Sequence, residues 1–595
     1  MVYKNTVRNV CSFRLLCALS FLASSLVFAQ QPSTNATGAL PGISQPKFDQ
    51  WQLRAQENEE LYIPPSADRP LGEDAGPRIQ VAAVRLDIDP QLQAEISAEL
   101  NDTLNSMLSA RATAYLAEGF TIGRLESIAA DITDALRDAG FILAWAYLPE
   151  QTIQDDTVVI NVLPGSLAAI MADGNNRYST ERLMRPFSDL IGAPVRRTAI
   201  ENSILHIRNY PGLSTSAVFS PGDDVGTSQL TLRVSEDPFD LAVTTDNYGT
   251  ESTGENRLRS DLFWYNPFGR GDLIAITALQ TFDPAENLYG GLLYQTPFIR
   301  HDLTLSLELS HNAFEVASGL AAGAGEDGKN LAGDTNAGSI GLSKNLRLTR
   351  RSRVDLGFDL SVKNAVLENL PAETEDNLTV ASLNFSAEGF DGFGAGGINQ
   401  FEFRYSRGIP EFLGSMSEDG DGGQSTRTGA SGENAGGEFD KFTLRYQRLQ
   451  RISERNSLLL RAEGQVSDDL LTSLEQFVIG GPNSVRAYPI AEYLGDEGSF
   501  ASLEWIIDVG KRDSDTSFSI SAYGDYAYGQ INDPLPNEIE DTDLSGWGIG
   551  ISISHTGDGG NQFALRLDVA SPISDIEPSD GDDPQFYGQI SYTFR

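Results

Sequence analysis

The residues that could do chemistry come first. His206, His301, His311 and His555 are the four histidines, and imidazole can serve as proton carrier or metal ligand. They are scattered and show no zinc spacing. Residues 392–397, GFGAGG, satisfy the dinucleotide-binding pattern letter for letter. That pattern works only where it follows a strand and opens a helix whose N-terminus meets the pyrophosphate. Here both flanks alternate like strands, so the stretch is a turn. Residues 418–423, EDGDGG, begin like a calcium loop but lack the remaining ligands, and are read as a solvated acidic loop. No G-x-S-x-G elbow occurs. No catalytic constellation, metal site or cofactor site is expected, and the chain is not expected to be an enzyme. One charged residue still asks for an explanation. Residues 479–490, IGGPNSVRAYPI, have two glycines and two prolines, the marks of a loop, yet Arg486 stands there among small and apolar neighbours. A guanidinium in such company needs a carboxylate, best held in bidentate form.

The rest of the chain must supply that partner and the element that presents it. Lys4, Arg8 and Arg14 precede an apolar run over 15–28, and Val27-Phe28-Ala29 offers a cleavage site before Gln30. Residues 1–29 are therefore expected to be an export signal. Cys11 and Cys17, the only cysteines, both lie inside it, so the mature chain is expected to have no thiol chemistry. The formal net charge of −40 argues against a nucleic-acid partner, since no basic excess exists to displace counterions. No later segment is apolar enough for a membrane helix, so any membrane role must come from strands.

After the signal, 30–77 is a polar segment with one candidate helix at 47–61 and a Pro/Gly-rich linker from 63. Residues 78–165 alternate as strand, two helices and two strands. Residues 166–237 repeat that order, which is read as an internal repeat. From 238 to 595 no helix is predicted. About sixteen runs of alternating polarity follow, separated by Gly, Asp, Asn and Pro turns, the pattern of an outer-membrane barrel. Leu303, Leu305, Leu307 and Leu309 share one face, with Thr304, Ser306, Glu308 and Ser310 on the other. In water such an apolar face needs a cover, as in a sandwich or propeller; in lipid it needs none, and the polar face lines a lumen. The last run puts Phe586, Ile590, Tyr592 and Phe594 on one face, suited to an interfacial girdle. The longest acidic loops, 312–334 and 415–440, are assigned to the extracellular side. The expected fold class is thus mainly β: an antiparallel transmembrane barrel of about sixteen strands behind two β-α-α-β-β modules.

This layout resembles the TpsB family, the outer-membrane transporters of two-partner secretion also described as haemolysin secretion/activation proteins, within the Omp85 superfamily. Residues 136–165 resemble the end of a first polypeptide-transport-associated (POTRA) module. Residues 244–272 resemble the opening barrel strands, with Asp246, Asn247 and Gly249 in the DNYG motif. Residues 475–498 resemble the inward-folding sixth loop, whose V-R-G-[YF] core is Val485, Arg486, Ala487 and Tyr488 here. Residues 523–529 resemble the strand whose aspartate, Asp525, partners that arginine. Two positions depart from the family pattern: Ala487 stands for the motif glycine, and Ala527 for the usual glycine after the aspartate. The resemblance implies an outer-membrane location with the N-terminal modules in the periplasm and a TpsA-like secreted exoprotein as partner. It also implies contact with outer-membrane lipid and with the barrel-assembly machinery during biogenesis. It implies that the modules capture unfolded cargo, by strand addition at 141–147 or at 157–162, and that helix 47–61 plugs the resting pore. An Omp85-type assembly factor or insertase is the alternative, though those generally carry more modules. A passive porin is less favoured still, and only the acidic loops suggest an adhesin.

Overall fold

The computed structural model describes residues 72, 74, 76–282, 284–300, 302–316, 332–368, 374–420, 425–510, 515–536, 538–557 and 559–595. The export signal, the 47–61 helix and nearly all of the linker lie outside them, as do His301 and residues 421–423 of the acidic EDGDGG stretch. The chain divides into two compact units, residues 59–236 and a barrel unit that includes 237–595.

The first unit holds two small sheets. In the first, β1 (Ala83–Ile88) is followed by α1 (Pro90–Glu95), α2 (Ala98–Leu116) and α3 (Ile122–Asp138), then β2 (Trp145–Tyr147) and β3 (Thr157–Leu163). The first of the two helices expected in this module is divided at Ser97, whose hydroxyl accepts from the Leu100 amide at 3.1 Å and starts α2 afresh. Thr121 caps α3 in the same way, accepting from the Arg124 amide at 3.1 Å. Leu125, Ile128, Ile132 and Leu136 recur at helical spacing along α3, and all four are buried against the sheet. The second sheet repeats the order with β4 (Ser166–Asp173), α4 (Thr180–Met184), α5 (Arg197–Arg208), β5 (Leu213–Pro221) and β6 (Thr227–Glu236). A 3-10 turn, Arg185–Leu190, follows α4, where Pro186 has no amide to extend the ladder.

The strand orders are β1-β3-β2 and β4-β6-β5. This corrects the expected cargo edges. Segment 157–162 is no edge: β3 is the central strand, parallel to β1 from Ala83↔Thr157 and antiparallel to β2 from Trp145↔Leu163. Two helices bring the chain back for a parallel pairing, so the last strand becomes interior. Segment 141–147 reduces to the three-residue β2. The Ala146 amide there donates to the Thr133 hydroxyl of α3 at 2.9 Å, so that edge is capped from its own module.

The second unit is a closed barrel of sixteen strands. Its first half comprises β7 (Phe239–Asp246), β8 (Asn256–Tyr265), β9 (Leu273–Phe282), β10 (Asn287–Pro297), β11 (Leu303–Glu315), β12 (Ala332–Leu348), β13 (Ser352–Glu368) and β14 (Thr374–Asp391). Then come β15 (Gly397–Gly408), β16 (Phe439–Arg451), β17 (Asn456–Val466), the short β18 (Phe477–Ile479) and β19 (Tyr493–Gly495), and β20 (Glu497–Asp508). The wall finishes with β21 (Thr516–Gln530), β22 (Asp541–Thr556), β23 (Gln562–Pro572) and β24 (Gln585–Phe594), which pairs back to β7. Leu307, Leu309, Ile549, Phe586 and Ile590 point outward and are exposed, the faces a hydrocarbon layer covers. No described helix is long and apolar enough to cross a membrane. The GFGAGG stretch is the turn between β14 and β15, with Gly394 and Gly396 at φ +61° and +96° and no helix after it.

Of the two long acidic loops, one is narrower than expected and the other is wider. Asn312 pairs with Thr335 and Asp334 with Ala313, so the β11–β12 hairpin extends into the stretch read as loop. The other starts earlier than expected: β15 already ends at Gly408 and β16 begins at Phe439, which leaves 409–438 as the fifth loop on its side of the barrel.

Candidate functional site: the inward loop and its barrel wall

The sixth loop runs between β17 and β20 and folds back as the β18–β19 hairpin, paired from Phe477↔Gly495 to Ile479↔Tyr493. Gly480 and Gly481 begin its tip at φ +100° and +90°; a side chain at Gly480 would lie 2.3 Å from the Pro489 carbonyl. Val485, Ala487 and Tyr488 are all fully buried, so the apolar residues around Arg486 are what seat the tip. They pack with Ile479, Tyr493, Phe500, Tyr523, Ala527 and Leu544.

Arg486 is 2 % exposed. Its Nε and Nη2 donate to the two oxygens of Asp525 at 2.8 and 2.9 Å, a bidentate fork, and its own amide donates to the same carboxylate at 3.2 Å. Nη1 donates to Glu504 at 2.9 Å and Nη2 to the Ser502 hydroxyl at 3.2 Å. The guanidinium lies 3.2 Å from the centre of the Tyr523 ring. The partners are presented by strand register: Ser502 stands opposite Asp525, and Asp525 opposite Gly546, in one transverse row of the wall. Charge compensation extends further, since Arg566 donates to Glu504 at 3.0 Å and to Asp568 at 2.6 Å.

Ala487 keeps a negative φ, so the departure from glycine costs no backbone strain. Space for its methyl comes from the wall: a Cβ built on Gly546 would fall 2.4 Å from that of Ala487. Ala527 is fully buried in the apolar cluster around the tip, opposite Phe500. The Tyr488 hydroxyl bonds Ser574 at 2.7 Å and the Ile576 carbonyl at 3.0 Å.

The first-strand motif sits at the barrel seam rather than at Arg486. Asp246 accepts from Arg257 at 2.7 Å and from the Tyr248 amide at 3.0 Å. Asn247 reaches across the closure, donating to the Phe586 carbonyl at 2.8 Å and accepting from the Gly588 amide at 2.7 Å. Gly249 lies where a side chain would meet the Gly254 carbonyl at 2.0 Å. The seam and the loop tip are joined by tyrosines: Tyr248 meets Tyr587 edge-on, and the Tyr587 hydroxyl donates to the Tyr488 carbonyl at 2.8 Å.

Sequence reasoning missed Glu504, Ser502, Tyr523, Arg566 and Asp568. It also missed the root of the loop, where Glu475 is gripped by Lys363 at 2.5 Å and Lys441 at 2.6 Å. Their one visible signal is charge on the lumen face of an alternating strand, as for Glu504 in SLEWIID. Beside the tip lies a cavity of about 610 Å³ lined by both signs of charge, including Arg404, Arg445, Glu402 and Glu463.

A sixteen-stranded barrel with an apolar outer face, a charged lumen and an inward sixth loop, following two small α/β modules in the chain, defines an outer-membrane β-barrel protein with periplasmic N-terminal modules. The chain belongs to the haemolysin secretion/activation protein ShlB/FhaC/HecB family, whose model matches residues 226–553, over half its length. The ShlB-type POTRA model matches residues 96–165. It is 22 % identical over 498 residues to the heme/hemopexin transporter protein HuxB of Haemophilus influenzae (strain 86-028NP), covering 81 % of this chain and 82 % of that one. It is 25 % identical over 483 residues to the outer membrane transporter CdiB of Dickeya dadantii, covering 77 % and 78 %. In fold it is similar to CdiB from Escherichia coli, at TM-score 0.63 and 20 % identity over 90 % of this chain and 94 % of that one. BamA from Haemophilus ducreyi shares the fold at TM-score 0.50 and 14 % identity, over 87 % of this chain and all of the BamA chain. The family makes the chain an outer-membrane secretion protein of the two-partner class.

Proposed function

We propose that the chain exports one large exoprotein, haemolysin- or adhesin-like, with residues 78–165 and 166–237 as two cargo-binding modules and 238–595 as the conduit. The single observation that carries this reading is the buried Arg486–Asp525 fork, which pins the tip of the inward loop to the barrel wall. Such a pair closes a resting channel and can be broken by a translocating chain. No nucleotide motif is present, so cargo binding and then folding outside the cell supply the drive. Cargo is captured by strand addition. The edge strands are β1, β2, β4 and β5, and the nine-residue β5 is the longest of them, so it offers an added strand the most backbone. The segment 47–61 is proposed to occupy the resting pore, so its deletion raises single-channel conductance; unchanged conductance removes that role. The barrel contacts outer-membrane lipid and passes through the barrel-assembly machinery when it is made.

The test is a comparison of culture media from the host with and without this gene. One long exoprotein should vanish from the medium and return on complementation. A general loss of outer-membrane proteins, with secreted proteins unchanged, would instead favour an assembly factor.

A further inference from the structure

Loop six is fastened at its root as well as at its tip, and the second fastening involves a different loop. The fifth loop, described over 409–420 and 425–438, lies down on the barrel's rim. The Met416 amide donates to the Asn377 carbonyl at 2.8 Å, and the Thr379 hydroxyl donates to the Phe412 carbonyl at 2.6 Å. Asp376 of β14 accepts from the Thr426 amide at 2.9 Å and from both the Ser425 and Thr426 hydroxyls. Met416 is buried with Leu471, Leu474, Ile490 and Leu494 of loop six, so apolar side chains from both loops share one cluster.

At the centre is Arg427, 3 % exposed, whose two terminal nitrogens both donate to Asp496, 0 % exposed. The same guanidinium donates to the Leu471 carbonyl at 2.8 Å and the Asn532 carbonyl at 3.1 Å. Asp496 in turn accepts from the Leu471 amide at 3.0 Å, the Asn532 amide at 2.7 Å and Gln476 at 3.3 Å. Leu471 and Gln476 belong to the outgoing leg of loop six, Asp496 to its returning leg, and Asn532 to the loop between β21 and β22. One carboxylate therefore ties three loops, and it shares no hydrogen bond with the Arg486 cluster. Ser431 adds a further tie, its hydroxyl donating to Asp533 at 2.6 Å.

We propose that Arg427 and Asp496 form a second latch, separate from Arg486, by which loop five holds both legs of loop six and shuts the outer mouth, and that cargo leaves only when it releases. A buried bidentate pair suits a latch: stripping one partner leaves an uncompensated charge, whereas replacing both by neutral groups is tolerated. The proposal deepens the secretion reading, and only its export arm rests on that reading.

Two measurements decide it. The only cysteines are Cys11 and Cys17, so a cysteine pair at Ser431 and Asp533 (S431C/D533C) is free of competing thiols in the described residues. Once oxidised, it should cut export by about tenfold or more, the effect of roughly 1.4 kcal/mol, and reductant should restore it. Wild-type export from the verified crosslinked form overturns the latch. Absence of export from the wild-type and reduced proteins overturns the secretion reading instead. The second measurement needs no cargo. In a background with Arg486→Ala and 47–61 deleted, so that the other two closures are already gone, R427Q/D496N should raise single-channel conductance further while the barrel keeps its heat-modifiable folded band, a split that a purely structural pair would not give. Unchanged conductance in a folded double variant overturns the latch as well.

Discussion

At the scale of single residues, Ala487 and Gly546 form a matched pair: the methyl that the loop gains is room that the wall gives up. Gly546→Ala alone should destabilise the protein by about 1–3 kcal/mol, the usual cost of overpacking. Ala487→Gly in the same chain should recover most of it. Thermal unfolding of the four purified proteins measures the cycle; equal losses in G546A and in the double variant would show that the two positions are not in contact. The pairing of Arg486 with Asp525 was legible because both lie in motifs that recur across a family. Glu504 and Arg566 were not, because they meet across 62 residues through strand register, which a linear sequence does not display. The space for the Ala487 methyl was not legible either, because Gly546 is only one of several glycines in its strand.

Among the elements, the barrel was the easiest to read. Strands such as β11 and β22 alternate in polarity because one face meets hydrocarbon and the other a polar lumen. The modules were legible as a repeat of strand and helix order, but not in the one respect that decides where cargo adds. Hairpin sequence alone does not say which strand becomes central; the parallel return of β1 onto β3 does. That shifts the expected docking edge to β5 in the second module. The Arg208 guanidinium donates to the Thr215 carbonyl of β5 at 3.2 Å, a bond that an added strand would have to share or displace. A photoreactive side chain at Ser214 or Ser216 should crosslink to the unfolded N-terminal part of the exported partner, whereas one at Asn161 of β3 should not. Equal crosslinking at all three positions would contradict capture at the β5 edge.

For the whole molecule, the question is how a channel wide enough for a polypeptide stays shut and then opens without a nucleotide. Arg486 buried against Asp525 and Glu504 sets the scale. Removing either partner of such a pair costs about 3–5 kcal/mol, because the other charge is left buried and unpaired. Cargo bound to the modules and threading the lumen must offset that cost, which ties the ion pair directly to export. The most direct measurement is secretion of the partner exoprotein by cells carrying Arg486→Ala, with the amount of heat-modifiable barrel in the outer membrane assayed alongside. Loss of the exoprotein from the medium with the barrel present at its normal level is the predicted result; secretion at the wild-type level would contradict it.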